Sequence, residues 1–129
     1  MDQPAHILVV DDDPALRWTT VRILERAGYR VDAAESGEEG LHLAREVQPD
    51  VILLDVVLPG LDGLEVCRRI KADPDLSGAY VLLYSATRVD TLEQADGLEV
   101  GADGYISRPV SNRELLARVA AILRLKRAE

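Results

Sequence analysis

The sequence predicts an α/β domain in which a five-stranded parallel sheet is covered by helices on both faces. Three short apolar runs, around Ile7, Val51 and Val81, are typical of strands that are buried on both sides. Segments with helical spacing of apolar residues alternate with these runs and with two weaker strand candidates. Because strands that alternate with helices through short loops form βαβ units, the strands should be parallel. We place the three apolar runs at the centre of the sheet.

Length and composition indicate one domain, residues 1–129, with a core from about residue 6 to 125. The 129 residues are 47% hydrophobic and 29% charged, which is ordinary for a globular domain. The net charge of −8 argues against direct binding to nucleic acid or to an anionic membrane. Cys67 is the single cysteine, which excludes an internal disulfide and suits a reducing compartment. Without a signal peptide or a membrane-length apolar run, a cytoplasmic protein is expected.

The first predicted strand, Ile7–Val10, ends in three acids, Asp11, Asp12 and Asp13. Asp13 followed by Pro14 is typical of a helix N-cap and first helical residue, so we expect a helix to about residue 27. A short strand over residues 29–34 and a second helix should follow. That helix would be capped by Ser36, with Glu39 at the capping-box position, and would stop before Pro49.

The central stretch of the chain is VILLDVVLPGLDG, residues 51–63. Its four apolar residues predict a buried strand that leads directly into Asp55, and the proline and glycines after it predict a loop. A third helix is expected over 64–72. A fourth strand over 80–84 should end at Ser85, and a fourth helix over 89–100 is the weakest prediction. The fifth strand, 104–107, precedes Arg108-Pro109, and Ser111 should cap the last helix.

Acidic or hydroxyl residues therefore follow all three central strands, at the sheet edge where open α/β folds bind ligands. If the three strands are neighbours, these residues, namely Asp11 to Asp13, Asp55 and Ser85, would converge on one cleft, and crowded carboxylates need compensation if they are to stay ionised. A hard divalent cation, Mg²⁺ or Mn²⁺, is the natural compensation. An aspartate can also attack a phosphoryl group to form an acyl phosphate. Arg108 could pair with Asp55 or with the transferred phosphoryl group.

Four motifs in this order and spacing resemble the receiver domain of bacterial two-component response regulators. They are LVVDDDPALR, VILLDVVLPGLDGLE, LLYSA and GADGYISRP, and the resemblance extends from Ile7 to about Leu125. It implies a flavodoxin-like, doubly wound sheet with strand order 2-1-3-4-5, an order that comes from the resemblance and not from the spacing. The resemblance also implies that Asp55 is the phosphoacceptor and that the metal is bound directly by Asp12, Asp55 and the backbone carbonyl of Val57. Asp11 would hold the metal through a bound water. Ser85 and Tyr105 would be the switch residues, and Pro109 a structural cis proline.

The resemblance further implies a phosphoacceptor that signals and does not act as an enzyme beyond its own phosphorylation and dephosphorylation. Its expected partners are a histidine kinase, phosphotransfer protein or small phosphodonor, and a downstream output domain or target protein. A weak homodimer through the fourth helix, fifth strand and last helix is also expected. Arg108 departs from the pattern because the family expects lysine there, and a forked guanidinium cannot place its charge as an ammonium does.

Three alternatives remain open from the sequence. Asp11 and Asp13 resemble the nucleophile and acid of haloacid-dehalogenase-like phosphohydrolases, although Pro14 and the short chain do not fit that family. A flavodoxin-like flavin carrier would need a hydroxyl- and glycine-rich phosphate loop after the first strand, where this chain has three acids. A degenerate receiver that binds a partner independently of phosphorylation is favoured only by Arg108.

Overall fold

The architecture is a five-stranded, all-parallel sheet with strand order β2-β1-β3-β4-β5. It is seen in a computed structural model that describes residues 3–76, 78–85, 96 and 99–128. The strands are β1 (His6–Val10), β2 (Arg30–Ala34), β3 (Val51–Asp55), β4 (Tyr80–Ser85) and β5 (Gly104–Ser107). The helices are α1 (Pro14–Arg26), α2 (Gly37–Val47), α3 (Gly63–Ala72) and the C-terminal helix (Asn112–Arg127). The predicted fold class and strand order are confirmed. Most of the helix predicted over 89–100 lies outside the described residues.

Two apolar clusters lie on opposite faces of the sheet because alternate strand residues point in opposite directions. Leu54 packs in the cluster that includes α2 and α3 residues, whereas Leu53 packs in the cluster that includes α1 and C-terminal-helix residues. All five residues of β1 and of β3 are buried. Burial on both faces explains why these strands have continuous apolar sequences.

Short polar side chains start the helices as predicted. The Asp13 carboxylate accepts hydrogen bonds from the N–H groups of Ala15 and Leu16, and the hydroxyls of Ser36 and Ser111 cap α2 and the C-terminal helix. The third helix begins at Gly63, one residue earlier than predicted, because Asp62 accepts from the Glu65 N–H and is its N-cap.

Cys67 lies on the buried side of α3, and burial raises the pKa of its thiol to about 11. The side chain of Cys67 packs in the apolar cluster that includes α2 and α3 residues. Among the helices of the described part of the chain, none has the length and apolar character needed to cross a membrane.

Candidate functional site

The acidic cluster forms where β1 and β3 end side by side. Val10 pairs with Leu54 in the parallel register, so Asp11 and Asp55 follow these residues at the same level of the sheet. One carboxylate oxygen from each of Asp11, Asp12 and Asp55 lies within 4.8 Å of the others. Asp11 is 0% exposed and Asp55 4%, whereas Asp12 is open to solvent. Three carboxylate oxygens at this spacing, one of them accessible, suit a hard divalent cation.

The surroundings of Asp55 raise the pKa of its carboxyl group. Burial raises its pKa to about 6, and the nearby charges of Asp11 and Asp12 act in the same direction. The Val57 N–H donates to Asp55 Oδ1 at 2.9 Å and opposes this rise, as does the more remote charge of Arg108. Burial and the neighbouring carboxylates therefore make the ionised form of Asp55 less favourable than that of an exposed aspartate, and a bound cation would offset this cost.

The loop after β3 is tied to the sheet and to α3 by backbone hydrogen bonds. The Val56 N–H donates to the Tyr84 carbonyl at 2.9 Å, and the Gly63 N–H donates to the Val56 carbonyl at 3.0 Å. A Cβ at Gly63 would lie 2.1 Å from the Asp55 carbonyl oxygen, so glycine is required by this close approach. Val57 exposes 66% of its surface, and the use of its carbonyl as a metal ligand stays a prediction.

Asp11 is fixed by donors on both oxygens of its carboxylate. The Asp13 N–H donates to Oδ1 at 3.0 Å, and the Tyr84 hydroxyl donates to Oδ2 at 2.5 Å. Arg17 Nη1 donates to the Asp11 backbone carbonyl at 2.9 Å. The sequence interpretation assigned Tyr84 to a buried strand and missed this contact. The available signal was its position next to Ser85, since Tyr84 pairs with Asp55 in the register of β3 and β4.

Arg108 lies over Tyr84 and not against Asp55. Its guanidinium carbon is 4.5 Å from the centroid of the Tyr84 ring, and Nη2 donates to Thr20 Oγ1 at 3.3 Å. Its Nε is buried and has no hydrogen-bond partner among the described residues. Within that same part of the chain, Arg108 forms no ion pair with Asp55, and its pairing with a phosphoryl group stays a prediction.

The remaining site residues lie around this cluster. Ser85 is buried at the end of β4, and its carbonyl accepts from the Arg108 N–H at 3.2 Å. Tyr105 is half-buried and packs against the cluster that contains Leu83, its neighbour on β4. The Arg108–Pro109 peptide bond is cis. The switch roles of Ser85 and Tyr105 stay predictions, whereas Asp13 caps α1 as expected.

A family model described as response regulator receiver domain matches residues 7–120 of this chain. The chain belongs to that family. The transcriptional regulatory protein AfsQ1 of Streptomyces coelicolor is 48% identical over 118 residues, which cover 92% of this chain and 51% of the relative. The response regulator MprA of Mycolicibacterium vanbaalenii is 45% identical over 121 residues, which cover 94% and 51%. The receiver domain spans about half the length of these curated relatives.

Solved structures of receivers superpose closely. A CheY-like response regulator receiver domain protein from Methanospirillum hungatei gives a TM-score of 0.90 at 30% identity, covering 97% of this chain and 98% of the other. The BeF3-activated N-terminal receiver domain of Klebsiella pneumoniae RstA gives 0.85 at 28% identity, covering 92% and 98%. The family assignment confirms the predicted function: this is a receiver domain of two-component signalling, and these comparisons do not favour a phosphohydrolase, a flavin carrier or a degenerate receiver.

Proposed function

We propose that Asp55 is the phosphoacceptor of this receiver and that Asp12, Asp55 and the Val57 carbonyl hold Mg²⁺, with Asp11 acting through metal-bound water. The observation that carries the proposal is the convergence of three carboxylate oxygens, within 4.8 Å, around an aspartate at the end of the central strand β3. Mn²⁺ has similar ligand preferences and would fit the same oxygens.

Different residues of the chain have different roles in phosphoryl transfer. An Asp55 carboxylate oxygen forms the new O–P bond while the bond from phosphorus to the donor breaks, and the donor keeps that electron pair. The Val57 N–H holds Asp55 Oδ1, which orients the carboxylate for attack. A bound divalent cation would compensate the charge that gathers on the phosphoryl oxygens. Ser85 and Arg108 are then the nearby groups that detect the phosphoryl group.

The proposal extends to partners. A histidine kinase, a phosphotransfer protein or a small phosphodonor supplies the phosphoryl group, and a downstream output domain or target protein responds to it, in the cytoplasm. The relatives named transcriptional regulatory protein and DNA-binding response regulator support an output step, since this chain spans about half their length. The acidic receiver itself, with a net charge of −8, is not expected to contact nucleic acid or a membrane directly.

Intact-mass spectrometry with acetyl phosphate and Mg²⁺ tests this function. We expect one phosphoryl adduct on the wild-type domain, none when a chelator removes Mg²⁺, and none in Asp55→Asn. Asp13→Asn is a matched control, because it makes the same change at the same sheet edge while asparagine still caps α1. That variant should keep the adduct.

Two results would contradict the proposal. An adduct of equal yield in Asp55→Asn would place the phosphoacceptor elsewhere. A domain that never forms an adduct, with or without Mg²⁺, would favour a degenerate receiver whose partner binding does not depend on phosphorylation.

A further inference from the structure

The contact between Tyr84 and Asp11 is not needed for any step described above. We propose that the Tyr84 hydroxyl is a positioning group that stabilises the metal-free acidic site and thereby weakens its affinity for Mg²⁺. This inference rests on the proposed function, since it assumes a divalent cation at Asp12 and Asp55. It assigns to Tyr84 the role of setting how readily the receiver becomes competent for phosphorylation.

Asp11 is buried, so its carboxylate is removed from water. A buried carboxylate needs hydrogen-bond donors or a nearby cation. In the structure, two donors from the chain supply this: the Asp13 N–H to Oδ1 and the Tyr84 O–H to Oδ2, the latter at 2.5 Å. A hydroxyl bonded to an ionised carboxylate at this distance forms one of the stronger hydrogen bonds in proteins. Tyr84 thus carries much of the compensation for the Asp11 charge.

The Tyr84 side chain cannot easily turn away from Asp11. Its side chain is 1% exposed, its ring packs in the core between β4 and the helices, and the Arg108 guanidinium covers the ring. Arg108 is held in turn by its hydrogen bond to Thr20. Burial and the neighbouring Asp11 raise the pKa of the phenol above its ordinary value, so Tyr84 remains a donor.

The hydrogen bond from Tyr84 matters differently with and without a cation at the site. A cation held by Asp12 and Asp55 also compensates the charge of Asp11, whose ligand oxygen lies within 4.8 Å of theirs. The Tyr84 bond is therefore most needed when the cation is absent. Because a contact that favours one state shifts the equilibrium toward it, Tyr84 favours the metal-free protein.

Tyr84→Phe removes the hydroxyl and keeps the ring. We expect Mg²⁺, titrated calorimetrically into the full chain, to bind this variant about tenfold more tightly, which corresponds to about 1.4 kcal/mol. In chelator the variant should be less stable to urea than wild type, and saturating Mg²⁺ should reduce that deficit by about 1.4 kcal/mol, the free energy that corresponds to the tenfold change in affinity. Tyr29→Phe, a half-buried tyrosine that packs against the core, is the matched control and should change neither quantity.

A spectroscopic measurement keeps the inference testable if Tyr84→Phe folds poorly. Mg²⁺ should perturb the near-ultraviolet tyrosine absorption of the wild-type domain, because the cation weakens the bond between Tyr84 and Asp11. The perturbation should persist in Tyr29→Phe and disappear in a folded Tyr84→Phe. A wild-type spectrum unchanged by saturating Mg²⁺ would overturn the inference.

Two further results of the Mg²⁺ titration would count against the inference. Unchanged Mg²⁺ affinity in Tyr84→Phe would reduce Tyr84 to a packing role, and weaker affinity would mean that Tyr84 orients Asp11 for the metal. Either result leaves the proposed function intact. No Mg²⁺ binding by the wild-type domain, or equal binding by Asp12→Asn, would overturn the metal site itself and the inference with it.

Discussion

Asp55 must be ionised to attack phosphorus, yet its surroundings favour the protonated form. Its pKa is raised from 3.8 to about 6, first by burial and then by Asp11 and Asp12. Because the folded state binds the proton more tightly than the unfolded chain, stability is highest below pH about 4 with respect to this group. It decreases as pH rises through about 6, where folded Asp55 must ionise.

The pH dependence of stability should therefore differ between wild type and Asp55→Asn. In chelator, the two should have similar free energies of unfolding at pH 4, and the variant should be more stable by about 2 kcal/mol at pH 7.5, since each pKa unit corresponds to ~1.36 kcal/mol. Urea unfolding followed by circular dichroism measures both. A difference that stays constant between pH 4 and pH 7.5 would show that Asp55 carries no such charge penalty.

The contacts of Arg108 determine how easily its guanidinium can move toward a phosphoryl group on Asp55. Its contacts with Tyr84 and Thr20 hold the guanidinium over the Tyr84 ring, so these contacts must be broken or shared if it is to reach a phosphoryl group. A lysine ammonium lacks the planar face and the fork that make both contacts at once. The resting position of the cation should thus be less stable in Arg108→Lys.

We accordingly expect Arg108→Lys to respond more completely than wild type to beryllofluoride, which imitates the phosphoryl group. NMR chemical-shift changes at Ser85 and Tyr105 are the measurement, and Arg22→Lys, an exposed site on α1, is the matched control. Equal and complete shift changes in wild type and Arg108→Lys would show that arginine performs the family lysine's role without loss.

At the level of elements, the junction between β3 and α3 positions the site. The helix begins against the backbone of Asp55, and only a residue without Cβ allows that approach, since a Cβ at Gly63 would meet the Asp55 carbonyl at 2.1 Å. The hydrogen bond from Gly63 to Val56 closes the same loop. Rigid backbone here holds the Val57 N–H on the Asp55 carboxylate.

Gly63→Ala should consequently move the loop and disturb Asp55. We expect a loss of at least about 1–3 kcal/mol in the free energy of unfolding, the range for overpacking a tight site, and a slower phosphorylation by acetyl phosphate. Gly78→Ala is the matched control, because a Cβ there meets nothing within 4 Å. Equal stability of the two variants in urea would contradict the packing argument.

Elements with strong local signals were predictable from the sequence. Continuous apolar runs identified β1, β3 and β4, and short polar residues such as Asp13 and Ser36 marked helix starts, because both signals act within a few residues. The convergence of Asp11, Asp12 and Asp55 was also predictable, since each follows a central strand. The bond between Tyr84 and Asp11 was missed, because Asp11 follows another strand, lies 73 residues away in sequence and is brought to Tyr84 only by the register of the sheet.

On the scale of the whole molecule, two charged residues of the predicted dimer surface, Asp103 next to β5 and Arg118 on the C-terminal helix, already have partners within the chain. Asp103 pairs with Lys71 at 2.8 Å and accepts from the Val81 N–H, and Arg118 lies 3.7 Å from Glu114. The predicted fourth helix lies mostly outside the described residues. Charges already paired inside one molecule gain less from a partner.

Dimerisation should therefore be weak and sensitive to salt. We expect sedimentation to give a monomer for the unphosphorylated domain and more association with beryllofluoride, with the increase reduced by salt. A tight dimer that forms without beryllofluoride and persists at high salt would refute this. Arg118→Ala should lower the association more than Arg22→Ala, because Arg118 lies on the C-terminal helix of the predicted surface and Arg22 on α1.

The position of Cys67 has a kinetic consequence. A thiol reagent must reach a thiolate, and Cys67 lies on the buried side of α3 with a pKa of about 11, so the native domain should resist labelling. Labelling then proceeds only through molecules in which the packing of α3 on the sheet has opened. The helix α3 starts at the loop that follows Asp55. The rate at which Cys67 is alkylated therefore measures how often α3, beside the acidic site, separates from the sheet.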